Sequence, residues 1–153
     1  MEIKGLISED FINYKKPSMT IMFPHCTFKC SEDLCQNSPL VKQESIDLKV
    51  DDIVARYINN PITESIVMQG LEPFDSWDDL LKLIGETRNL TDDDIVIYTG
   101  YNKDEIKDKI YLLSEYKNII IKYGRYVPNQ EKHYDDILGV YLASNNQYAE
   151  KIS

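Results

Sequence analysis

A chain of 153 residues, 42% hydrophobic and 28% charged, is long enough to bury a core and has the composition of an ordinary globular domain, so one domain over 1–153 is expected. A formal charge of −9 argues against a protein whose task is to grip a phosphate backbone, because that needs a surplus of lysine and arginine on at least one face. No run approaches the ~18 apolar residues that cross a bilayer, so neither nucleic acid nor membrane is expected as a partner.

Residues 1–17 offer Ile3, Leu6, Ile7, Phe11 and Ile12 without a clean period, which predicts an irregular or short-stranded lead-in. Pro17 and Ser18 then introduce Met19-Thr20-Ile21-Met22-Phe23, stopped by Pro24. An apolar run this short between breakers reads as a buried strand. Directly after it come Cys26, Cys30 and Cys35, all three cysteines of the chain within ten positions. Thiolates are soft, charged ligands for iron–sulfur clusters and zinc, and three on one short loop can surround one inorganic centre with a coordination position left over. A closed structural zinc site wants a fourth ligand; His25 is beside Cys26 but poorly spaced to share a tetrahedral ion with it. Simple packing as small apolar side chains is the third reading. The odd cysteine count and the lack of an apolar signal region in Met1 to Gly5 argue against a disulfide framework, so a reducing, cytoplasmic setting is expected.

After Pro39 the chain is polar until residues 50–58, where Ile53, Val54, Tyr57 and Ile58 share a helical face and Asp51 and Asp52 complement the helix dipole. Ser65-Ile66-Val67-Met68-Gln69 is a second short strand, closed by the turn Gly70-Leu71-Glu72-Pro73. Ser76 reads as the cap of a helix in which Trp77, Leu80, Leu81 and Ile84 recur at i, i+3, i+4 and i+7. Residues 95–98 form a third strand, ending at Thr99-Gly100-Tyr101. Asn102 with Glu105 resembles a capping box that opens a helix with Ile106, Ile110 and Leu113 inward. Residues 119–122 form a fourth strand, ending at Tyr123-Gly124-Arg125-Tyr126. Residues 128–136, with His133, read as a surface excursion. Gly139-Val140-Tyr141-Leu142-Ala143 follows as a short edge strand and Ser144-Asn145-Asn146-Gln147 as a polar closing turn.

Alternating helices and strands without a two-residue period predict an α/β fold, a mostly parallel sheet covered by helices. Four such strands are too few for a closed eight-stranded barrel, so the sheet is expected to be open or a partial (β/α) barrel. In either, ligands bind where the strands finish, and the cysteine loop and the turns at 70–73, 99–101 and 124–126 all fall there.

In that order the motifs resemble the small radical S-adenosylmethionine (SAM) enzymes, specifically the anaerobic ribonucleotide reductase activating proteins. The resemblance runs from Met19 to Gln147 and is carried by five segments: the strand leading into Cys26-Thr27-Phe28-Lys29-Cys30, Gly70-Leu71-Glu72-Pro73, Tyr98-Thr99-Gly100-Tyr101, Lys122-Tyr123-Gly124-Arg125-Tyr126 and Ser144-Asn145-Asn146-Gln147. Two departures stand out. The cysteines are separated by three and then four residues, with Leu34 before Cys35, where the family has gaps of three and two with an aromatic before the third cysteine. Leu71 replaces the family's second glycine.

The resemblance implies a radical SAM-type fold in which Cys26, Cys30 and Cys35 hold three irons of a [4Fe–4S] cluster and the open iron binds SAM. It implies that Gly70, Leu71, Glu72, Pro73, Thr99, Gly100, Tyr101, Lys122, Arg125 and Asn146 surround the SAM, with no further catalytic side chain. An external one-electron reductant such as flavodoxin would drive cleavage of SAM to a 5′-deoxyadenosyl radical, which takes a hydrogen atom from a glycine of the large glycyl-radical subunit, anaerobic ribonucleotide reductase. Two other readings stay open: a radical SAM enzyme acting on a small molecule or peptide, and a non-enzymatic zinc or iron–sulfur module using His25 with the cysteines.

Overall fold

A computed structural model describes residues 1–27 and 38–153. Among these, the strands are β1 (Glu2–Ile3), β2 (Gly5–Asp10), β3 (Ser18–Phe23), β4 (Ile46–Asp47), β5 (Ser65–Gly70), β6 (Asp94–Tyr98), β7 (Ile119–Tyr123), β8 (His133–Asp135), β9 (Val140–Leu142) and β10 (Tyr148–Lys151). The helices are α1 (Ser38–Val41), α2 (Val50–Ile58), α3 (Trp77–Arg88) and α4 (Lys107–Leu113), the last two entered through the 3-10 turns Pro73–Ser76 and Lys103–Ile106.

The central sheet has the order β10-β7-β6-β5-β3-β2. Its four middle strands are parallel, with Met19 beside Ile66, Ile66 beside Ile95 and Ile95 beside Ile119. The outer strands β2 and β10 run antiparallel to their neighbours. The order is linear and starts and ends on different strands, so the sheet is open rather than a closed barrel.

The two faces of the sheet are covered differently. Met19, Ile21, Phe23, Ile66, Met68, Ile95, Ile97, Ile119 and Ile121 face α2 and α3, where Ile53, Val54, Tyr57, Leu80, Leu83 and Ile84 complete the main core. Burying a side chain of this size completely contributes about 1.5–3 kcal/mol, so this face carries most of the stability. On the opposite face, Val67, Val96 and Ile120 pack against Tyr14, Leu138, Leu142 and Ala149. Among the described residues, helices therefore cover one face. Parallel strands need both faces dry, and here the lead-in and the β8–β9 hairpin supply the second cover. The Tyr14 hydroxyl donates to Asp94 (2.8 Å), the Tyr98 hydroxyl to the Asn13 carbonyl (2.6 Å) and the Lys15 amide to the Leu138 carbonyl (2.8 Å).

Several local expectations change. Of the two readings of the lead-in the short-stranded one holds, with β2 paired to β3 through Gly5 to Asp10. Residues 140–142 pair with 133–135 in a separate hairpin, and the sheet edge is formed by β10 instead. Ile58 is 44% exposed, since the buried stripe of α2 runs through Val50, Ile53, Val54 and Tyr57. Ser76 makes no side-chain cap; the Glu72 carboxylate accepts from the Phe74 amide and heads the 3-10 turn that leads into α3. At the next helix the Glu105 carboxylate does accept from the Asn102 amide, at 2.9 Å.

Candidate functional site at the strand ends

Parallel pairing brings the C-terminal ends of β3, β5, β6 and β7 to one edge of the sheet. β3 ends at Phe23, and His25, Cys26 and Thr27 follow as exposed residues. The chain after β5 runs alongside: the Leu71 amide donates to the Phe23 carbonyl (3.1 Å) and the Glu72 amide to the His25 carbonyl (2.8 Å). This approach requires a glycine at position 70. Gly70 has φ +101°, and a Cβ there would lie 2.6 Å from the Phe23 nitrogen and 2.8 Å from the Met22 Cα. The left-handed conformation falls on Gly70 and not on Leu71, so leucine occupies the place of a second glycine without backbone strain.

Glu72 is 1% exposed and joins two turns. Its Oε1 accepts from the Thr99 hydroxyl (2.7 Å) and the Phe74 amide (3.1 Å), and its Oε2 from the Gly100 amide (2.8 Å). Burial pushes the carboxyl up to about 7 even though these three donors favour the charged form. Pro73 is buried and starts the 3-10 turn. Further along that turn, Asp75 accepts from the Thr27 amide and hydroxyl and from the Tyr101 hydroxyl. Burial, with Asp75 second, raises the Tyr101 phenol above its ordinary value and keeps it a donor.

The end of β7 adds cationic groups. The Lys122 ammonium is buried, donates to the Gly124 carbonyl at 3.1 Å and lies 5.7 Å from the centre of the Tyr98 ring. Burial lowers it to about 8, with Glu72 pulling the other way. Gly124, at φ +102°, lets the chain pass within reach of the closing turn, since a Cβ there would sit 3.1 Å from Asn146. The exposed Asn146 donates from its amide to the Arg125 carbonyl (2.7 Å), and buried Gln147 donates to the Gly124 carbonyl (3.2 Å) while accepting from the Ala143 and Ser144 amides. Residues 144–147 are thus a lock on the end of β7 as well as a closing turn. The Arg125 guanidinium forms a two-bond pair with Glu105 at 2.9 and 3.1 Å and lies 5.8 Å from the centre of the Tyr101 ring.

Of the residues singled out in the sequence, Thr99 and Gly100 both donate to Glu72, the Arg125 guanidinium lies over the Tyr101 ring, and Lys122 and Asn146 attach to the Gly124–Arg125 turn. Cys26 stands exposed at the foot of this group, whereas Cys30 and Cys35 lie outside the described residues. The His25 imidazole is exposed, 3.9 Å from the Glu2 carboxylate, and its carbonyl is the part that binds the site. His133 is half-buried, with Nε2 2.8 Å from the Gln147 carbonyl. Sequence reasoning missed Asp75 and Thr27. Their signal was slight: a carboxylate two residues past Pro73 and a hydroxyl next to the first cysteine.

An open, mostly parallel α/β sheet with its strand ends at one edge and Cys26 exposed there is the architecture of a domain that binds its ligand at those strand ends. Residues 18–148 match the family model of the 4Fe-4S single cluster domain, and the chain belongs to that family, a radical-SAM-associated iron–sulfur domain. Comparison with curated proteins and with solved structures gives no match. Among the described residues no helix is long and apolar enough to cross a membrane.

Proposed function

We propose that the chain is a radical SAM enzyme that activates a glycyl-radical enzyme, with the large subunit of an anaerobic ribonucleotide reductase as its partner. One observation supports this reading above the others. The loop root at Cys26, the 70–73 turn, the 99–101 turn and the 124–125 turn meet at one edge of the sheet and are cross-bonded through Glu72, Asp75 and the Gly124 amide, which donates to the Tyr101 carbonyl at 3.1 Å. The donor set fits a [4Fe–4S] cluster: three cysteines fall within ten positions of the sequence, and the first is exposed beside these turns. Cys26, Cys30 and Cys35 would hold it. When bound, the reduced cluster supplies the electron that cleaves SAM into methionine and a 5′-deoxyadenosyl radical.

The chain's own residues position and exclude. Glu72 holds the 70–73 and 99–101 turns at a fixed separation, and Gly70 lets the first of them approach β3 closely. Lys122 presents a buried cation whose single hydrogen-bond acceptor among the described residues is the Gly124 carbonyl, a natural partner for a carboxylate. Tyr126 and Val127, in the segment that follows β7, are exposed beside the site, apolar surface of the kind a protein partner would cover.

Anaerobic reconstitution should give about four irons per chain and release 5′-deoxyadenosine only when SAM and a one-electron reductant such as flavodoxin are both present. Addition of the candidate reductase should then produce a glycine-centred doublet in electron paramagnetic resonance (EPR). SAM cleavage without that doublet moves the activity to a small molecule or peptide. Stoichiometric zinc with no brown chromophore would leave a structural metal module.

A further inference from the structure

We infer that Asp75 is the positioning residue for the start of the cysteine loop: its carboxylate clasps Thr27, the residue after Cys26, against the ends of β5 and β6. The inference deepens the reading of Cys26 as a cluster ligand and rests on it. Past Phe23 the chain has left the sheet, yet it remains held on both sides of Cys26. On one side the His25 carbonyl accepts the Glu72 amide at 2.8 Å. On the other, Asp75 Oδ2 accepts the Thr27 amide at 2.7 Å and the Thr27 hydroxyl at 3.0 Å. Both anchors come from the segment that follows β5, so Cys26 is bracketed by one main-chain bond and one pair of bonds to the Asp75 side chain.

Asp75 is placed where an acidic side chain would ordinarily serve the amides of its own helix. It does something else. Its Oδ2 goes to Thr27 and its Oδ1 to the Tyr101 hydroxyl, at 2.6 Å, so both oxygens bind other loops. Tyr101 in turn stands beside Arg125, which Glu105 holds. The clasp therefore ties the first thiol to the ends of β5 and β6 and, through the Tyr101 ring, to the turn after β7. Hydrogen bonds to an ionised acceptor are about twice as strong as neutral ones, which suits a contact that must hold in an exposed position.

Two measurements on the full chain test this. In the metal-free wild type the Thr27 amide should be protected from hydrogen exchange, and Asp75→Ala should speed its exchange by about tenfold or more, the effect of losing a charge-assisted bond. Asp75→Asn keeps one acceptor oxygen and should fall between the two; it serves in place of the alanine variant if that one does not fold. After anaerobic reconstitution, the same variants should bind less iron and show a changed EPR spectrum of the reduced cluster and a weaker spectral response to SAM. Thr27 exchange within about twofold of wild type in the variants overturns the inference. So does faster exchange with iron content, spectrum and SAM response all unchanged. A wild-type chain that takes up no iron sinks the proposed function, and the Thr27 exchange rate then decides by itself whether Asp75 holds the loop.

Discussion

The carboxylate of Glu72, at the end of one parallel strand, accepts a 2.7 Å hydrogen bond from the hydroxyl of Thr99, at the end of the next. The two residues are 27 positions apart in sequence and almost fully buried. Together with the Gly100 amide bond, this contact fixes the distance between two of the turns that line the strand ends.

Glu72→Ala leaves the Thr99 hydroxyl and the Gly100 amide without their buried acceptor. An orphaned buried donor costs about 1–3 kcal/mol. We expect a loss of roughly 2–3 kcal/mol in urea unfolding and weaker SAM binding by the reconstituted protein. An unchanged midpoint and slope would show that the two turns are held by something else.

Gly70→Ala should be at least as costly. The substitution places a Cβ 2.6 Å from a backbone nitrogen of β3 and forces alanine to φ +101°. Neither neighbour is the mobile end of a side chain, so β3 and β5 would have to separate. A destabilisation of about 3 kcal/mol or more is expected, read as a lower urea midpoint. Leu71→Gly has no strain to relieve and should lower stability by its lost packing and added chain entropy.

Glu72 and Lys122 give opposite pH limbs. The folded protein binds the Glu72 proton more tightly than the unfolded chain, about 7 against 4.5, because burial disfavours the charge. This contribution to stability is present at pH below 4.5 and is lost as pH rises toward 7. Lys122 is lowered from 10.5 to about 8, so the unfolded chain holds that proton more tightly and stability rises as pH climbs from about 8 to 10.5. The joint contribution is least favourable between about pH 7 and 8, where both groups are largely charged. Subtracting the pH profile of Glu72→Gln from that of wild type should isolate the acid limb, and Lys122→Met the alkaline limb, each on the order of 1–3 kcal/mol. Flat difference curves would mean that neither ionisation is coupled to folding.

Cys26→Ser should abolish most iron binding and the cluster absorbance while leaving the circular dichroism spectrum in place. The thiol is exposed and lies outside the core. Cys30→Ser and Cys35→Ser should match it if all three thiols hold one centre. Full iron content in any one of them would remove that cysteine from the ligand set. Chelation of the wild-type cluster should likewise leave the sheet intact.

The elements read well from sequence are those with a local physical signature. The four parallel strands are short apolar runs between breakers, and α2 has the bounds its pattern implies, with two acidic residues in its first turn. β8 and β10 were not legible, and of β2 only a short-stranded lead-in was. Their burial is mixed or mostly exposed, and what makes them strands is pairing with β3, β9 and β7. Within the site, the positions of the turns could be anticipated because a parallel sheet sends all its strand ends to one edge. The bonds among them could not. Nothing local to Glu72 names Thr99 and Gly100 as partners, and Asp75 looks like a helix-terminal residue until Thr27 and Tyr101 are seen against it.

The sequence by itself determined that there is an α/β sheet and that the three cysteines follow its first parallel strand, because apolar runs, breakers and cysteine spacing are properties of neighbouring residues. The tertiary structure decided which face of the sheet α2 and α3 cover, that the left-handed conformation falls on Gly70 and spares Leu71, and that Glu72 and Asp75 are joints between turns. Each of those depends on which groups distant in the chain meet where water is displaced or a backbone passes close by, and a one-dimensional pattern does not carry that information.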